Sequence, residues 1–326
     1  MISDKGIFTV SLDCELYWGV RDRRTIQQYS NNLLGVRGAI KEILNTFDDY
    51  DVHATWAVVG FLFFPDVERL REHLPSELPH YLNPSLSPYR YIKESDTLEA
   101  VYHFAPEVID LICEHDNQEI ATHTFSHYYC LEKGQNTESF YMDISSAIKV
   151  AENRGLTLRS LVFPRNQCNP QFLSILSDLG ISCYRGNEDG WAYSAVSGED
   201  ENKLKRVLRL TDAYVNISGH NTYSIYEVSL QKPFNIPSSR FLRPYSKKLF
   251  WLENLRLRRI KRAMTYAAKH KTIFHLWWHP HNFGIHTTKN MAFLRTILEH
   301  YRMLKKRYNM LSLNMGEIAD LIEKNL

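Results

Sequence analysis

Short apolar segments alternate with longer amphipathic segments along most of the chain. Residues 6–13, GIFTVSLD, are apolar and β-branched and predict a buried strand that ends on an acid. Residues 35–50 carry apolar side chains at helical spacing, and residues 52–61, VHATWAVVGF, predict a second strand. A strand, a helix and another strand in this order are typical of a parallel sheet covered by helices.

The same alternation resumes after residue 105. It predicts helices at 105–115, 137–153, 169–179, 246–270 and 289–308, strands at 118–122, 158–163, 181–185, 272–279 and 310–314, and a last helix capped by Asn314 and Glu317. About seven strands alternating with helices predict an α/β fold, either a parallel barrel or an open doubly wound sheet.

Two regions depart from this alternation. Residues 65–106 contain prolines among polar residues and tyrosines, which predicts an insertion over the sheet. Residues 186–245 are irregular, and the alternating segment YSIYEVSL predicts a small hairpin or another insertion. We therefore expect one domain over 1–326 with insertions near 65–106 and 186–245.

The composition changes this picture little. A chain of 326 residues with 44% hydrophobic and 23% charged residues is typical of a globular protein. A formal charge of +2 is too small to indicate a nucleic-acid partner. The five cysteines form no C-x-x-C pair, no signal peptide is apparent, and no apolar run reaches the ~18 residues of a membrane span. We expect a cytoplasmic protein; the oligomeric state stays open.

One segment concentrates positive charge. Between residues 243 and 271 there are ten Lys or Arg residues and one acid, Glu253. The apolar positions of 246–270 have helical spacing, so the segment predicts a basic amphipathic helix. This helix could present a solvated outer face, or contact an anionic membrane surface or a phosphate-bearing substrate.

Candidate chemistry follows the ends of four predicted strands. Function in parallel α/β folds sits at the carboxyl ends of the strands. The polar residues found there are Asp13 and Glu15, His123 and His127, Arg165, and His279 and His281. The histidine pair is weak evidence by itself, because the chain has 14 histidines and a second pair at the same spacing, His275 and His279. The convergence of four strand ends is what predicts a metal site.

These residue types suit a hydrolytic centre. Asp13 and Glu15 lie two apart, so both side chains can point to one side, one as general base and the other as metal ligand; the alternative is that they cap the next turn. A helical turn would bring His123 and His127 to one face. Two histidines and one carboxylate leave open positions on a zinc-like ion, as a catalytic site requires.

The last predicted site strand offers a general acid. His279 lies at the end of that strand, whereas His275 is expected to be a hydrogen-bonded core residue. Arg165, in FPRNQ, could bridge the carboxylates, bind substrate or form a surface salt bridge. The chain is 13% aromatic, and such side chains can line sugar clefts or fill cores.

Several segments together resemble the polysaccharide deacetylase (NodB-homology) family. They are FTVSLDCE, HATWAVVG, EIATHTFSH, LVFPRNQ and HLWWHPH, and they extend from about residue 7 to 281. The resemblance implies a distorted (β/α) barrel, one divalent metal ion that is often zinc, and removal of N-acetyl or O-acetyl groups from carbohydrates.

The resemblance also implies roles for individual residues. In place of the family's Thr-Phe-Asp-Asp-Gly motif the chain has Ser-Leu-Asp13-Cys14-Glu15, so Asp13 matches the base, and we assign the metal role to Glu15 because Cys14 replaces the usual aspartate. The remaining matches make His123 and His127 metal ligands, His279 the acid, and Arg165, Trp191 and Trp277 candidate substrate-binding residues.

The sequence thus predicts a metal-dependent hydrolase that removes acetyl groups, with N-acetyl favoured over O-acetyl, from a carbohydrate or glycan precursor. A cytoplasmic enzyme would act on a precursor that is nucleotide- or lipid-linked. The alternatives are a catalytically degenerate carbohydrate-binding barrel and a metal-independent glycosidase that uses Asp13 with another carboxylate.

Overall fold

Helices surround a set of parallel strands in the computed structural model, which describes residues 4–95 and 97–325. The strands are Ile7–Cys14 (β1), Ala54–Val58 (β2), Gln118–Thr122 (β3), Ser160–Val162 (β4), Cys183–Arg185 (β5), Phe234–Asn235 (β6), Arg240–Phe241 (β7), Ile273–Trp278 (β8) and Leu311–Ser312 (β9). The helices are Ile26–Tyr50 (α1), Val67–Arg71 (α2), Pro88–Glu94 (α3), Ala100–His103 (α4), Pro106–Cys113 (α5), Thr137–Glu152 (α6), Leu173–Asp178 (α7), Lys203–Asp212 (α8), Ile225–Val228 (α9), Glu253–His270 (α10), Thr287–Tyr308 (α11) and Met315–Glu323 (α12).

The strands form a parallel barrel. Their order is β6-β5-β4-β3-β2-β1-β8-β7, with β9 beside the start of β1. The two outer strands belong to one segment, 234–242: its first half bonds to β5, with Phe234 N donating to Ser182 O at 2.8 Å, and its second half bonds to β8, with Ser239 N donating to His275 O at 2.8 Å. The ends of the sheet therefore meet, and the predicted α/β class and distorted barrel are confirmed.

Alternation along β1 separates the core from the barrel interior. Phe8, Val10 and Leu12 belong to the main hydrophobic core, which includes buried side chains of α1 and α11. Ser11 and Asp13 point the other way: both contact Arg185 of β5 across the barrel, and Ser11 also contacts His275 of the neighbouring strand β8. A strand with period-two alternation thus places its apolar side chains under the helices and its polar ones inside.

Most predicted elements are present, with boundary changes that capping explains. Helix α1 begins at residue 26, nine residues before the predicted start, because Thr25 and Gln28 form a capping box. The capping box of Asn314 and Glu317 is confirmed. The predicted hairpin over YSIYEVSL is wrong: Ser224 and Glu227 cap the short helix α9 there. The basic helix starts at Glu253 and not at 246.

The two expected insertions differ in content. Residues 65–106 hold α2, α3 and α4, and this region is fixed to the barrel where Trp18 Nε1 donates to His103 O at 2.7 Å. Residues 186–245 hold α8, α9 and the strand segment that joins β5 to β8. The assignment of 1–326 to one domain stays a prediction. None of the helices in the described ranges is long and apolar enough to cross a membrane.

Candidate active site

The carboxyl ends of β1, β3 and β8 bring five of the predicted site residues together. They are Asp13, Glu15, His123, His127 and His279, and His281 joins them. His279 Nε2 lies 3.8 Å from Asp13 Oδ2 and 3.6 Å from Glu15 Oε1. The rule that polar strand ends converge on one rim is what located this cluster in the sequence.

Glu15, His123 and His127 form a compact group of potential metal ligands. Glu15 Oε2 lies 2.9 Å from His127 Nε2 and 3.4 Å from His123 Nε2. One ligand atom from each of the three residues lies within 4.8 Å of the others, and all three residues are buried. Two imidazoles and a carboxylate are a ligand set that zinc accepts with a coordination position left open.

The hydrogen bonds of His123 show that this group suits a cation. His123 Nδ1 lies 2.8 Å from the carbonyl oxygen of Val162, which can only accept, so Nδ1 carries the hydrogen. Among the described residues the buried Nε2 atom then has no hydrogen-bond partner, and it faces Glu15 Oε2 at 3.4 Å, across a gap that a proton or a cation on Nε2 would fill. A lone pair facing a carboxylate is unfavourable unless a cation or a proton lies between them. A carbonyl on Nδ1 is also the usual support of a metal-binding histidine.

The backbone around Glu15 turns sharply to deliver its carboxylate. Strand β1 ends at Cys14, and Leu16 adopts a positive φ of 44°. Cys14 packs into the hydrophobic core, so Glu15 is the residue of this pair that reaches the site. A Cβ at Gly19 would lie 1.9 Å from Glu15 Cδ, and only glycine permits the backbone to approach the carboxylate this closely.

The segment between the two histidines is a bent loop. The expected helical turn is wrong, because Thr124 and His127 have φ values of 63° and 59°. The Thr124 hydroxyl caps this turn, since it accepts from Tyr128 N at 2.7 Å. The loop lies against the end of β2, where Gly60 N donates to Thr124 O at 2.9 Å. A Cβ at Gly60 would come within 2.8 Å of the Cα of Phe125.

Asp143 on α6 supports this loop from below. Its carboxylate accepts from Phe125 N at 2.7 Å and Ser126 N at 3.2 Å, and also accepts from the Ser126 hydroxyl. Burial raises the pKa of Asp143 to about 7, although these hydrogen bonds lower it in part. Asp143 is therefore a positioning residue for His123 and His127, and one that titrates near neutral pH.

Arg185 is a functional neighbour that the sequence analysis missed. Its guanidinium makes a two-pronged contact with Asp13, at 2.7 Å to Oδ1 and 2.8 Å to Oδ2, and both side chains are buried. Burial alone would raise the pKa of Asp13, but Arg185, with help from His123 and His279, lowers it below the ordinary value. Asp13 is thus held ionised and in one orientation.

Burial and neighbouring charges also set the pKa values of Glu15 and His127. Burial would raise the pKa of Glu15, but His279, His123 and His127 hold it well below its usual range. Burial lowers the pKa of His127 to about 4, against the opposing effect of Glu15. At neutral pH the group therefore offers an ionised carboxylate and a neutral imidazole, the protonation states that metal ligands require.

His275 lies beneath the site. Its Nδ1 atom lies 3.1 Å from Ile236 O and its Nε2 atom 2.8 Å from Ser11 Oγ. The Ser11 hydroxyl also accepts from Arg185 at 2.9 Å, so His275 belongs to a buried network that supports Arg185. Burial lowers the pKa of His275 to about 3. The expected core role of His275 agrees with these contacts.

A cleft of about 860 Å³ opens beside Asp13 and Glu15. Arg165 and Trp277 line it, whereas Trp191 does not; Trp191 is 54% exposed on the surface, with Lys205 over its ring. Arg165 pairs with Asp22. Trp277 packs against Phe241, with 4.6 Å between ring centroids. Of the three predicted substrate residues, the structure therefore brings two to the cleft.

Comparison with solved structures identifies the fold. A structure assigned as a polysaccharide deacetylase of Mycobacterium smegmatis matches with a TM-score of 0.64 and 13% identity over 100% of this chain and 93% of that chain. A structure assigned as a polysaccharide deacetylase of Pseudomonas aeruginosa PAO1 matches at 0.59 and 12% identity, over 98% and 92%. The allantoinase PuuE matches at 0.56 and 11% identity, over 98% and 90%.

These likenesses lie in the fold, and they confirm the barrel that the resemblance to the polysaccharide deacetylase family implies. No protein-family model matches the sequence, and no curated protein matches it. The alternation of strands and helices predicted the α/β class, and the resemblance of a few short segments predicted the barrel, at an identity where whole-sequence comparison finds no match.

Proposed function

We propose that this protein is a metal-dependent carbohydrate deacetylase, acting on N-acetyl in preference to O-acetyl groups. Glu15, His123 and His127 hold one divalent cation, with zinc as the proposed ion. The observation that carries the proposal is the unpartnered Nε2 atom of His123, which faces an ionised carboxylate beside a second ionised acid, Asp13. The deacetylases among the similar folds support the same reaction class.

A cation bound to these residues would polarise an acyl oxygen and make water more acidic. Asp13 is the proposed general base, because Arg185 keeps it ionised and fixes its orientation. His279 is the proposed general acid: its Nε2 atom lies 3.8 Å from Asp13, close enough for both to act on one scissile bond, and its ring is partly exposed to the cleft. It donates a proton to the departing amine or alcohol.

The test is acetate release from acetylated sugars, measured together with metal content. Chitotetraose and acetylated xylan serve as probes for N-acetyl and O-acetyl groups. We expect one tightly bound ion per chain, activity that a chelator removes and zinc restores, and loss of activity in Asp13→Asn and His279→Ala with the ion retained. Full activity in either variant contradicts the role assigned to that residue.

The same measurement separates the two alternatives. A bound ion without acetate release from any probe would favour a carbohydrate-binding barrel. Chelator-insensitive cleavage between sugars would favour a glycosidase, in which Asp13 and another carboxylate flank the bond. Glu119→Gln is the matched control, because Glu119 is a half-buried acid at the start of β3, away from the carboxyl ends of the strands.

We also propose contact with an anionic membrane surface through 246–270. Phe250 and Trp251 are 61% and 66% exposed, and Lys247 and Lys248 precede them. Exposed aromatics beside cations suit a lipid interface. Two of the basic residues do not contribute, since Arg256 and Arg259 are buried and bonded to Glu253 and Asp212.

Co-sedimentation with vesicles that contain anionic lipid tests this contact. Lys247→Glu with Lys248→Glu should reduce the bound fraction, and Lys289→Glu with Lys306→Glu is the matched control. Equal binding of both double variants would contradict the proposed membrane contact.

The cytoplasmic location stays a prediction; the five cysteines are all unpaired thiols.

A further inference from the structure

The cleft beside the candidate active site is lined by many more arginines than its chemistry requires. The lining includes seven arginines and four carboxylates, and two of the carboxylates are Asp13 and Glu15. The arginines are Arg23, Arg24, Arg165, Arg206, Arg209, Arg240 and Arg243. A neutral glycan has no group that would complement this charge, so the lining itself carries information about the substrate.

Some of these arginines are neutralised within the protein. Arg165 pairs with Asp22, Arg209 with Glu201 and Arg240 with Asp212. Arg206 and Arg243 have no such carboxylate: within the described ranges, none lies in ion-pair distance of either guanidinium. The cleft therefore holds cations without a carboxylate from the described residues, among them Arg206, which is exposed, and Arg243, which is only partly so.

Of the two, Arg243 is the less exposed to solvent, so the lack of a counter-ion is less favourable there than at Arg206. It is only partly exposed, and burial lowers its pKa, with Arg209 and Arg256 contributing in the same direction. Its backbone is nevertheless fixed, because the buried Arg256 donates to the Arg243 carbonyl and is itself paired with Glu253. A partly buried cation with an aromatic ring but no carboxylate beside it is stabilised when an anion binds.

Arg240 adds a second sign of an anion site. It is 3% exposed, and one guanidinium nitrogen, Nη1, bonds to Asp212. The Nε and Nη2 atoms are buried and find no hydrogen-bond partner in the part of the chain that the structure describes. An arginine has five N–H donors, so a buried guanidinium with two nitrogens unsatisfied at the cleft wall retains donors for a ligand.

The position of Arg243 relates this charge to the reaction. The Phe241 ring lies 5.8 Å from the His279 ring and 4.6 Å from the Trp277 ring, between centroids. The Arg243 Cζ atom lies 5.8 Å from the same Phe241 centroid. Phe241 is therefore a common neighbour of the proposed general acid and of Arg243, and with Trp277 it supplies aromatic surface for one sugar ring.

From this arrangement we infer that the substrate is an acetylated sugar esterified to phosphate or pyrophosphate, whose anion binds at Arg243 and Arg206 while the sugar lies on Phe241 and Trp277. A phosphate ester supplies several acceptor oxygens and up to two charges, which several guanidinium groups can share, whereas a uronate supplies one charge. The placement of the acetyl group rests on the proposed function. The anion site does not.

Binding of glucose 1-phosphate tests the anion site directly. The compound has no acetyl group, so the protein cannot turn it over, and methyl glucoside is its neutral counterpart. By calorimetry on the metal-loaded protein we expect glucose 1-phosphate to bind and methyl glucoside to bind at least tenfold more weakly. Arg243→Gln and Arg206→Gln should each weaken glucose 1-phosphate at least tenfold, Arg243→Lys should weaken it less, and the exposed Arg302→Gln should leave it unchanged.

A second variant separates the anion site from the metal. In His127→Ala the proposed cation site is broken, and glucose 1-phosphate should still bind. Competition with uridine diphosphate glucose and with farnesyl phosphate then shows whether the phosphate comes from a nucleotide or a lipid carrier, according to which displaces the probe more strongly.

The inference is overturned if glucose 1-phosphate fails to bind, if Arg243→Gln and Arg206→Gln bind it as tightly as the native chain, or if His127→Ala abolishes binding. Binding of a uronate oligosaccharide in place of the phosphate also overturns it. Arginine-dependent phosphate binding without acetate release from any sugar would leave this inference standing and remove the proposed function.

Discussion

The barrel holds one carboxylate at each end, buried at one end and half-buried at the other, and the two are in opposite situations. Glu15 lies at the carboxyl end of the strands and is 4% exposed. Glu119 lies near the start of β3, where it accepts from Thr55 Oγ1 at 2.7 Å, Ser160 Oγ at 2.5 Å and Gly316 N at 3.0 Å. Burial raises the pKa of Glu119 and these hydrogen bonds oppose the rise only in part.

The difference teaches that burial alone does not mark a functional acid. Glu119 is surrounded by hydrogen-bond donors. One of them is Gly316 N in α12, the helix that closes this end of the barrel. Glu15 is surrounded by imidazole nitrogens, one of which has no partner, and its pKa is held well below the usual range. An acid whose oxygens are hydrogen-bonded supports the fold, and a buried acid among imidazole nitrogens is a candidate ligand for a cation.

The largest expected effect is a contrast between Glu15→Gln and Glu119→Gln. An amide is a poor metal ligand, so Glu15→Gln should lose the bound ion and at least about 100-fold in acetate release. Glu119→Gln should retain both, because the amide oxygen still accepts two of the hydrogen bonds. Metal analysis and acetate release on the two purified variants check this.

Thermal unfolding sharpens the same contrast. Added zinc should raise the midpoint of Glu119→Gln but not that of Glu15→Gln, because a ligand stabilises only the state that binds it. If zinc raises both midpoints equally, Glu15 is not a ligand and the distinction between the two ends fails.

The pair of Asp13 and Arg185 should give the next largest effect. Asp13→Asn should reduce acetate release by about 10²- to 10⁴-fold, the usual contribution of a general base. It also leaves Arg185 buried without its carboxylate, at a cost of about 3–5 kcal/mol in unfolding free energy. Arg185→Met should also lower the unfolding free energy, because it leaves Asp13 buried without its cation. The double variant should regain stability but not activity.

Urea unfolding and acetate release of the three variants complete this double-mutant cycle. If the stability losses of the single variants simply add in the double variant, Asp13 and Arg185 are not coupled. Arg185→Met with native activity would show that Asp13 needs no orientation by Arg185.

The candidate site could be predicted from the sequence where its residues directly follow predicted strands. Strand 118–122 was placed at its observed bounds, and the strand-end rule then found His123, as it found Asp13 and His279. The same rule applied to the predicted strand 181–185 marks Arg185, so the signal for this residue was present. It was missed because only four of the strand ends were considered.

Other features left no signal of their own. The closing segment 234–242 pairs two residues with β5 and two with β8, too few on either side for a period-two pattern. The bent histidine loop depends on positive φ values at Thr124 and His127. Neither a threonine nor a histidine is enough to predict a positive φ from the sequence. The environment of the His123 Nε2 atom arises only when distant parts of the chain pack together, so no single segment of the sequence predicts it.

The pH dependence of stability should show a smaller effect at Asp143. Its folded pKa of about 7 lies above the ordinary 3.8, so as pH rises the unfolded chain releases this proton first and the folded state loses stability between about pH 4 and pH 7. Asp143→Asn cannot titrate. The stability of the native chain relative to this variant should therefore fall as pH rises, which urea unfolding at pH 4.5, 6.0 and 7.5 measures; a difference that stays constant would contradict it.

The smallest effect should come from two serines that donate hydrogen bonds to acids at opposite ends of the barrel. Ser160→Ala removes a donor to Glu119 and Ser126→Ala removes a donor to Asp143, and each should lower the unfolding free energy by about 1–2 kcal/mol. Only Ser126→Ala should also lower acetate release, because Ser126 lies in the loop that carries His123 and His127. If Ser160→Ala lowers activity as much as Ser126→Ala at matched stability, the closed end of the barrel takes part in the reaction and the division between its two ends is wrong.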